Sequence, residues 1–176
     1  MNCFSEYTSP LGTLTLYGNG EALTGLWFEH RRYGPPDGAV PASGTELPLF
    51  REAARWLDIY FAGKDPGTPP PLAPQGSSFR QAVWQQLREI PYGCLTTYGT
   101  IARELEQTSG RRVSAQAVGG AVGHNPISIL IPCHRVVGTD GSLTGFGGGL
   151  DAKINLLTLE QVDLSKLYRP VKGTAL

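Results

Sequence analysis

Cysteine is scarce in this chain. Three occur in 176 residues, Cys3, Cys94 and Cys133, and none forms a Cys-x-x-Cys pair. That count excludes a disulfide-stapled secreted scaffold. With only three histidines beside them, the cysteines show no zinc-ligand spacing, so no metal is expected. No apolar run approaches the ~20 residues that span a bilayer. The start, Met1-Asn2-Cys3-Phe4-Ser5-Glu6, has no basic stretch followed by an apolar one. A cytoplasmic protein without membrane contact is the expectation. Net charge is absent as well: 15 basic residues balance 15 acidic ones, which removes any strong pull toward nucleic acid. The balance is uneven along the chain. Residues 1–76 hold five basic and eight acidic side chains, and residues 77–160 hold seven and six. The later part is mildly basic, which permits DNA contact without demanding it.

What is present reads as two domains. Leu14 to Tyr17 alternates polar and apolar, meets Gly18-Asn19-Gly20, and resumes at Leu23 and Leu26-Trp27-Phe28, the pattern of a β-hairpin. Residues 31–47 read as loop. Leu49, Phe50, Ala53, Leu57, Tyr60 and Phe61 recur at helical spacing over 48–62, and Gly63 ends that helix. Five prolines from Pro66 to Pro74 mark a boundary. The spacing thus gives a domain over 1–76, a second over 77–162 and a tail over 163–176.

In the second domain, Ser77 or Ser78 caps a helix with Phe79, Val83, Trp84, Leu87 and Ile90 on one side, ended by Pro91-Tyr92-Gly93. Thr97 caps a short helix with Ile101, Ala102 and Leu105 inward, and Gln107 to Arg112 reads as a polar turn. Ser114 caps a third helix over 115–123, in which Gly119 and Gly120 permit close approach. Asn125-Pro126 stops it. Ile129-Leu130-Ile131 reads as a short buried strand, Asp140-Gly141 as a tight turn, and Asp151 as the cap of a last helix carrying Ile154, Leu157 and Leu159. Two helices joined by a polar turn, with a third against them, suggest helix-turn-helix. Such pairs also occur in many proteins that never touch DNA.

The chemistry concentrates at Ile131-Pro132-Cys133-His134-Arg135-Val136. A thiol is mostly protonated at neutral pH, so a nucleophilic Cys133 needs an imidazole, a cation or a helix end nearby. Neighbouring side chains in extended backbone point opposite ways, so His134 would act through water or across a sharp turn. Taken alone, a cysteine after an apolar strand is more often a buried small hydrophobe. A Cys-His hydrolase would need an oxyanion hole and direct contact, neither of which the sequence suggests.

The wider pattern adds to this. It runs through Ser78-Phe79-Arg80-Gln81-Ala82-Val83-Trp84, Ile90-Pro91-Tyr92-Gly93, Thr97-Tyr98-Gly99, Ala117-Val118-Gly119-Gly120-Ala121, Asn125-Pro126, the Pro132-Cys133-His134-Arg135-Val136 core and Gly148-Gly149-Leu150. In that order it closely resembles the O6-alkylguanine-DNA alkyltransferases, also called methylated-DNA–protein-cysteine methyltransferases. The resemblance is continuous from about Ser77 to Glu160 and weaker before, at Ser9-Pro10-Leu11-Gly12. It implies an α/β N-terminal domain of ribonuclease-H-like shape. It also implies a mainly helical C-terminal domain with a helix-turn-helix and a short active-site strand.

By that resemblance, a monomer meets double-stranded DNA in the minor groove and rotates an O6-alkylguanine out of the stack. Cys133 takes the alkyl group, with O4 of thymine as a further position. His134 acts as base through a water, Glu160 orients His134, and Tyr98 donates a proton to the leaving guanine. Ser114, Ala115 and Gln116 belong to the DNA-facing helix, and Asn125 to the hinge behind it. Arg135 ties the active-site turn to its surroundings. Backbone near Cys133 and Val136 holds the base, and the loop of Phe146, Gly147 and Gly148 covers it. The product is a thioether, which water cannot release, so each molecule turns over once, without a cofactor. The alternative is a non-catalytic lesion-binding module; such relatives replace the cysteine, and Cys133 is present. Three departures stand out: Gln116 occupies the place of an arginine, Phe146 that of a tyrosine, and the zinc ligands of some members are incomplete. The segment from Glu106 to Val113 is longer than the usual turn.

Overall fold

In the computed structural model of the chain, residues 2–29, 38–43 and 47–170 are described. His30 and most of the expected loop over 31–47 lie outside the described residues, as does the tail beyond 170. The chain divides into two units: residues 1–75 with 126–130, and residues 76–125 with 131–176.

The first unit is built on a four-stranded sheet. Strands β1 (Cys3–Ser9), β2 (Gly12–Gly18), β3 (Leu23–Phe28) and β4 (Val40–Pro41) lie in the order β3-β2-β1-β4. β2 and β3 are the expected hairpin, paired antiparallel with Leu16 opposite Leu26. β1 is a strand the spacing did not announce: only Cys3 and Ser9, at its two ends, are buried. Ser9-Pro10-Leu11-Gly12 is the turn between β1 and β2. Its closure uses the Ser9 hydroxyl, which donates to the Gly12 carbonyl at 2.7 Å and accepts from the Leu11 amide at 3.1 Å. β4 falls inside the segment read as loop and pairs parallel to β1 through Cys3 and Val40.

Helix α1 (Leu47–Phe61) buries Leu49, Phe50, Ala53, Leu57 and Tyr60, as the spacing predicts, and Trp56 besides, while Phe61 of the expected set is only partly buried. Gly63 follows with a left-handed φ of 79°, and its amide closes on the Tyr60 carbonyl. The proline-rich stretch is held in place. Trp56 Nε1 donates to the Gly67 carbonyl at 3.0 Å, and Leu23 exchanges backbone hydrogen bonds with Pro71 and Ala73.

The second unit holds α2 (Ser78–Arg88), β5 (Thr96–Thr97), α3 (Tyr98–Ser109), α4 (Ala115–Gly123), β6 (Val136–Val137) and α5 (Leu150–Leu159). The hydroxyls of Ser77, Thr97 and Ser114 cap α2, α3 and α4, accepting from the amides of Arg80, Thr100 and Ala117. Trp84 Nε1 donates to the Ala121 carbonyl at 2.8 Å and joins α2 to α4. Phe79 departs from the expected inward face of α2; it is exposed, and Ile90 is buried beyond the helix end.

The helix-turn-helix is α3 and α4. α3 runs further than expected, so Gln107 to Ser109 are helical and not turn. Gly110, at φ 67°, ends the helix in the left-handed conformation that glycine adopts without strain. Glu106 then reaches across, its Oε1 accepting from the Val113 amide at 2.7 Å. That bond fixes the path into α4. On α4, Gly119 is buried, whereas a Cβ built on Gly120 meets nothing within 4 Å, so Gly120 does not serve the expected close approach.

Two further expectations are corrected. Ile129-Leu130-Ile131 is not a strand. Ile129 takes a φ of 73°, where a β-branched residue is strained by about 1–2 kcal/mol, and the chain turns there. The strand instead follows the cysteine, as β6, parallel to β5 through Thr96 and Val136. Asp151 does not cap α5: Gly149 holds that position with no side-chain cap bond, and Asp151 pairs with Arg169. α5 buries Ala152, Lys153, Leu156 and Leu157 in place of the anticipated set, sharing only Leu157 with it. The tight turn at Asp140-Gly141 forms, the Gly141 amide closing on the Gly138 carbonyl. Residues after Asp163 also pack: Leu164 and Leu167 lie on the cluster of Val137, Leu143 and Leu157.

Candidate active site

Pro132, at φ −80° and ψ 64°, makes an inverse γ-turn, with the Cys133 amide bonded to the Ile131 carbonyl at 2.8 Å. Cys133 to Arg135 then form one turn of 3-10 helix. The sharp turn replaces the extended backbone assumed from the sequence, so the opposite-facing argument for Cys133 and His134 does not apply. All three side chains are buried.

His134 and Glu160 meet through Nε2 and Oε2, both side chains fully buried. The other oxygen of Glu160 accepts from Arg135 Nε at 2.7 Å and from the Gly93 amide at 3.0 Å. Gly93 sits at φ 76°, and a Cβ there would come within 3.3 Å of the Glu160 carbonyl, so the position suits glycine. Burial alone would raise the Glu160 carboxyl. The hydrogen bond from His134, the Arg135 charge and the Gly93 amide outweigh it and hold the group down at about 2. Burial lowers the His134 imidazole below its ordinary value; Glu160 opposes this, while Arg135 and Lys153 add to it.

The pair is therefore a carboxylate beside a neutral imidazole. An ionised carboxylate only accepts, so His134 Nε2 carries the hydrogen and Nδ1 is the basic nitrogen. Arg135 completes the frame. Its NH1 donates to the Ile90 carbonyl at 2.7 Å, and its guanidinium lies 5.8 Å from the centre of the Tyr92 ring.

Tyr98 is the first residue of α3 and is buried. Burial raises its phenol above the ordinary value; the hydrogen bond from Thr144 opposes this and the Cys133 charge adds to it. Tyr98 therefore keeps its proton at neutral pH. Phe146 sets its ring edge-on to His134, centroids 6.3 Å apart. Gly147 is exposed and Gly148 half-buried in the same loop.

Residues 3–73 match the family described as 6-O-methylguanine DNA methyltransferase, ribonuclease-like domain, and residues 78–162 match its DNA binding domain. The chain is 46% identical over 160 residues to a methylated-DNA–protein-cysteine methyltransferase of Haemophilus influenzae, covering 90% of this chain and 86% of the relative. It is 43% identical to one of Methanosarcina acetivorans, covering 89% and 97%. The crystal structure of Mycobacterium tuberculosis OGT in complex with DNA superposes with a TM-score of 0.80 at 39% identity, over 94% of each chain. The chain belongs to the 6-O-methylguanine DNA methyltransferase family. Its two-domain architecture, a sheet domain followed by a helical domain, is that of the family.

Within this family member, Cys133, His134, Arg135, Val136 and Glu160 come together around one turn, and Tyr98 and Phe146 stand beside it. Ser114, Ala115 and Gln116 form the exposed start of α4, next to exposed Arg111 and Arg112. Asn125 follows the end of α4 and is buried, its amide donating to the Ile131 carbonyl at 2.8 Å. Among the described residues no group of three His, Cys, Asp or Glu side chains is placed to hold a metal ion, and no helix is long and apolar enough to cross a membrane.

Sequence reasoning missed Lys153, Thr144 and the role of Gly93. Lys153 is fully buried and its Nζ donates to the Val136 carbonyl at 2.6 Å and the Thr144 carbonyl at 3.0 Å. Burial lowers its ammonium to about 8, against the pull of Cys133. A lysine in the middle of the last helix carried no visible signal, because its apolar neighbours define no sharp inward face.

Proposed function

We propose that this chain repairs alkylated DNA by direct reversal, taking the alkyl group from O6 of guanine onto Cys133 in one irreversible transfer. The observation that carries the reading is the Glu160–His134 pair beside Cys133, an ionised acid holding a neutral imidazole with Nδ1 as its basic nitrogen. The thiol proton passes through a bridging water to that nitrogen. Sulfur then attacks the alkyl carbon in line, the S–C bond forms and the C–O6 bond breaks. Tyr98 gives its hydroxyl proton to the departing guanine, which leaves neutral. His134 and Tyr98 end with one proton gained and one lost, so charge balances. The thioether has no leaving group that water can displace, and no cofactor takes part.

The target base is flipped out of the duplex, since its O6 otherwise lies inside the stack. The exposed start of α4, with Ser114, Ala115 and Gln116, enters the minor groove, and Arg111 and Arg112 meet phosphates. The carbonyls of Cys133 and Val136 already accept from the Val136 amide and from Lys153. Backbone near these two residues holds the guanine amine. Phe146 supplies a stacking face in the covering loop. The protein acts as a cytoplasmic monomer, and O4 of thymine is a second substrate position.

The test is intact-mass analysis after mixing the full chain with duplex DNA containing O6-methylguanine. One methyl group on the peptide containing Cys133, and none with Cys133→Ser, is the expected result. Tight binding of the lesion with no transfer would instead support the non-catalytic lesion-binding reading.

A further inference from the structure

Tyr98 has one hydrogen to give and two lone pairs to fill. What points that hydrogen is set by whatever occupies the lone pairs. In this chain the occupant is Thr144: its Oγ1 donates to the Tyr98 hydroxyl oxygen at 2.7 Å, 46 residues away in sequence. We propose that Thr144 is the positioning residue for the Tyr98 proton, filling the phenol oxygen as a donor so that the phenolic hydrogen is turned toward the departing guanine. The inference rests on the proton-donor role of Tyr98 given above.

The direction of this bond matters. Had Tyr98 donated to Thr144, its hydrogen would be spent inside the protein. With Thr144 donating, the hydrogen is free to serve the leaving group. As it departs, the phenol oxygen gains charge, and a hydrogen bond to an ionised acceptor is roughly twice as strong as one to a neutral acceptor. The interaction therefore strengthens along the reaction, which is the property that accelerates a chemical step.

The backbone of Thr144 is fixed from the other side. Its carbonyl accepts from Lys153 Nζ at 3.0 Å, and the same ammonium holds the Val136 carbonyl at 2.6 Å, at the exit of the Cys133–Arg135 turn. One buried cation thus clamps the nucleophile's turn and the residue that orients the acid. Tyr98 is fixed in turn at the start of α3, where the Thr97 hydroxyl accepts from the Thr100 amide at 3.1 Å.

The experiment is a double-mutant cycle on the full chain, read as the single-turnover rate of methyl transfer from O6-methylguanine duplex, with DNA affinity measured alongside. Thr144→Val should slow transfer about tenfold with DNA affinity unchanged. Thr144→Ser, which keeps the hydroxyl, should restore most of the rate. In a Tyr98→Phe background, adding Thr144→Val should cost nothing more, because the oxygen it serves is gone. If Thr144→Val lowers the melting temperature, Thr144→Ala takes its place in the cycle. Equal slowing in both backgrounds, or a Thr144→Val protein as fast as wild type while Tyr98→Phe is slow, overturns the inference alone. A Tyr98→Phe protein that transfers at the wild-type rate overturns the donor role of Tyr98 and the inference with it.

Discussion

The side-chain amide of Asn125 and the backbone amide of Cys133 donate to one atom, the carbonyl oxygen of Ile131, each at 2.8 Å. Asn125 and Ile131 are the points where the chain leaves the C-terminal unit for residues 126–130 and returns to it. Both lone pairs of the carbonyl are filled, and the turn carrying Cys133 is tied to the end of α4. Asn125→Ala should cost about 1–2 kcal/mol, because it removes a buried hydrogen bond and leaves the carbonyl half satisfied. Asn125→Asp should do no better, since an ionised carboxylate cannot donate. Urea unfolding curves measure this; a midpoint unchanged by Asn125→Ala would refute it.

Glu160 and His134 set a pH dependence. The folded Glu160 carboxyl holds its proton less tightly than the ordinary value of 4.5, at about 2. As pH falls between those values, the unfolded chain takes up a proton that the folded chain does not, and stability is lost. Burial of His134 acts in the same sense below 6.5, where a solvated imidazole charges and the buried one resists. Stability should therefore fall from about pH 6.5 downward, with a further loss from 4.5 toward 2, and Glu160→Gln should lack the second loss. Transfer by Glu160→Gln should also be slower by about a hundredfold, as His134 loses the anion that orients it.

Lys153 and Cys133 feel each other's charge, and such coupling is mutual. The Lys153 ammonium therefore favours the Cys133 thiolate. Lys153→Gln should slow both methyl transfer and alkylation of Cys133 by iodoacetamide, about tenfold each. In the wild type the support itself should weaken as pH rises past about 8. Unchanged iodoacetamide kinetics would show that Lys153 serves only the backbone of Val136 and Thr144.

Gln116, exposed at the start of α4, brings hydrogen-bonding capacity without charge. If it fills the gap left by the flipped base, Gln116→Ala should slow transfer from duplex DNA by about tenfold and leave transfer from the free methylated base unchanged. Equal losses on the two substrates would remove Gln116 from the flipping step. Arg111→Ala with Arg112→Ala should instead weaken DNA affinity and flatten its dependence on salt.

The parts of the fold legible in the sequence are those fixed by neighbours. Ser77, Thr97 and Ser114 each cap a helix through an amide three residues on, so the cap is readable wherever the residue stands. The β2–β3 hairpin is readable because its alternation and its turn adjoin. β1 was hidden because its middle is only partly buried and carries no alternating apolar face. Residues 163–170 looked featureless, yet Tyr168 exchanges backbone hydrogen bonds with Gly141 and Leu143, a pairing that no local pattern encodes.

The sequence by itself determined the family and pointed to the nucleophile and its candidate partners, since Tyr98, Cys133, His134 and Glu160 stand within the stretch that carries the resemblance. Only the tertiary structure decided what those partners are chemically. Glu160 lies 26 residues from His134, Lys153 lies 17 from Val136, and Thr144 lies 46 from Tyr98. Burial and charge act through space: they leave His134 neutral, Glu160 ionised and Tyr98 protonated, and they bring in Lys153 and Thr144. Sequence order holds the residues; the fold alone fixes the distances and the exclusion of water on which each proton depends.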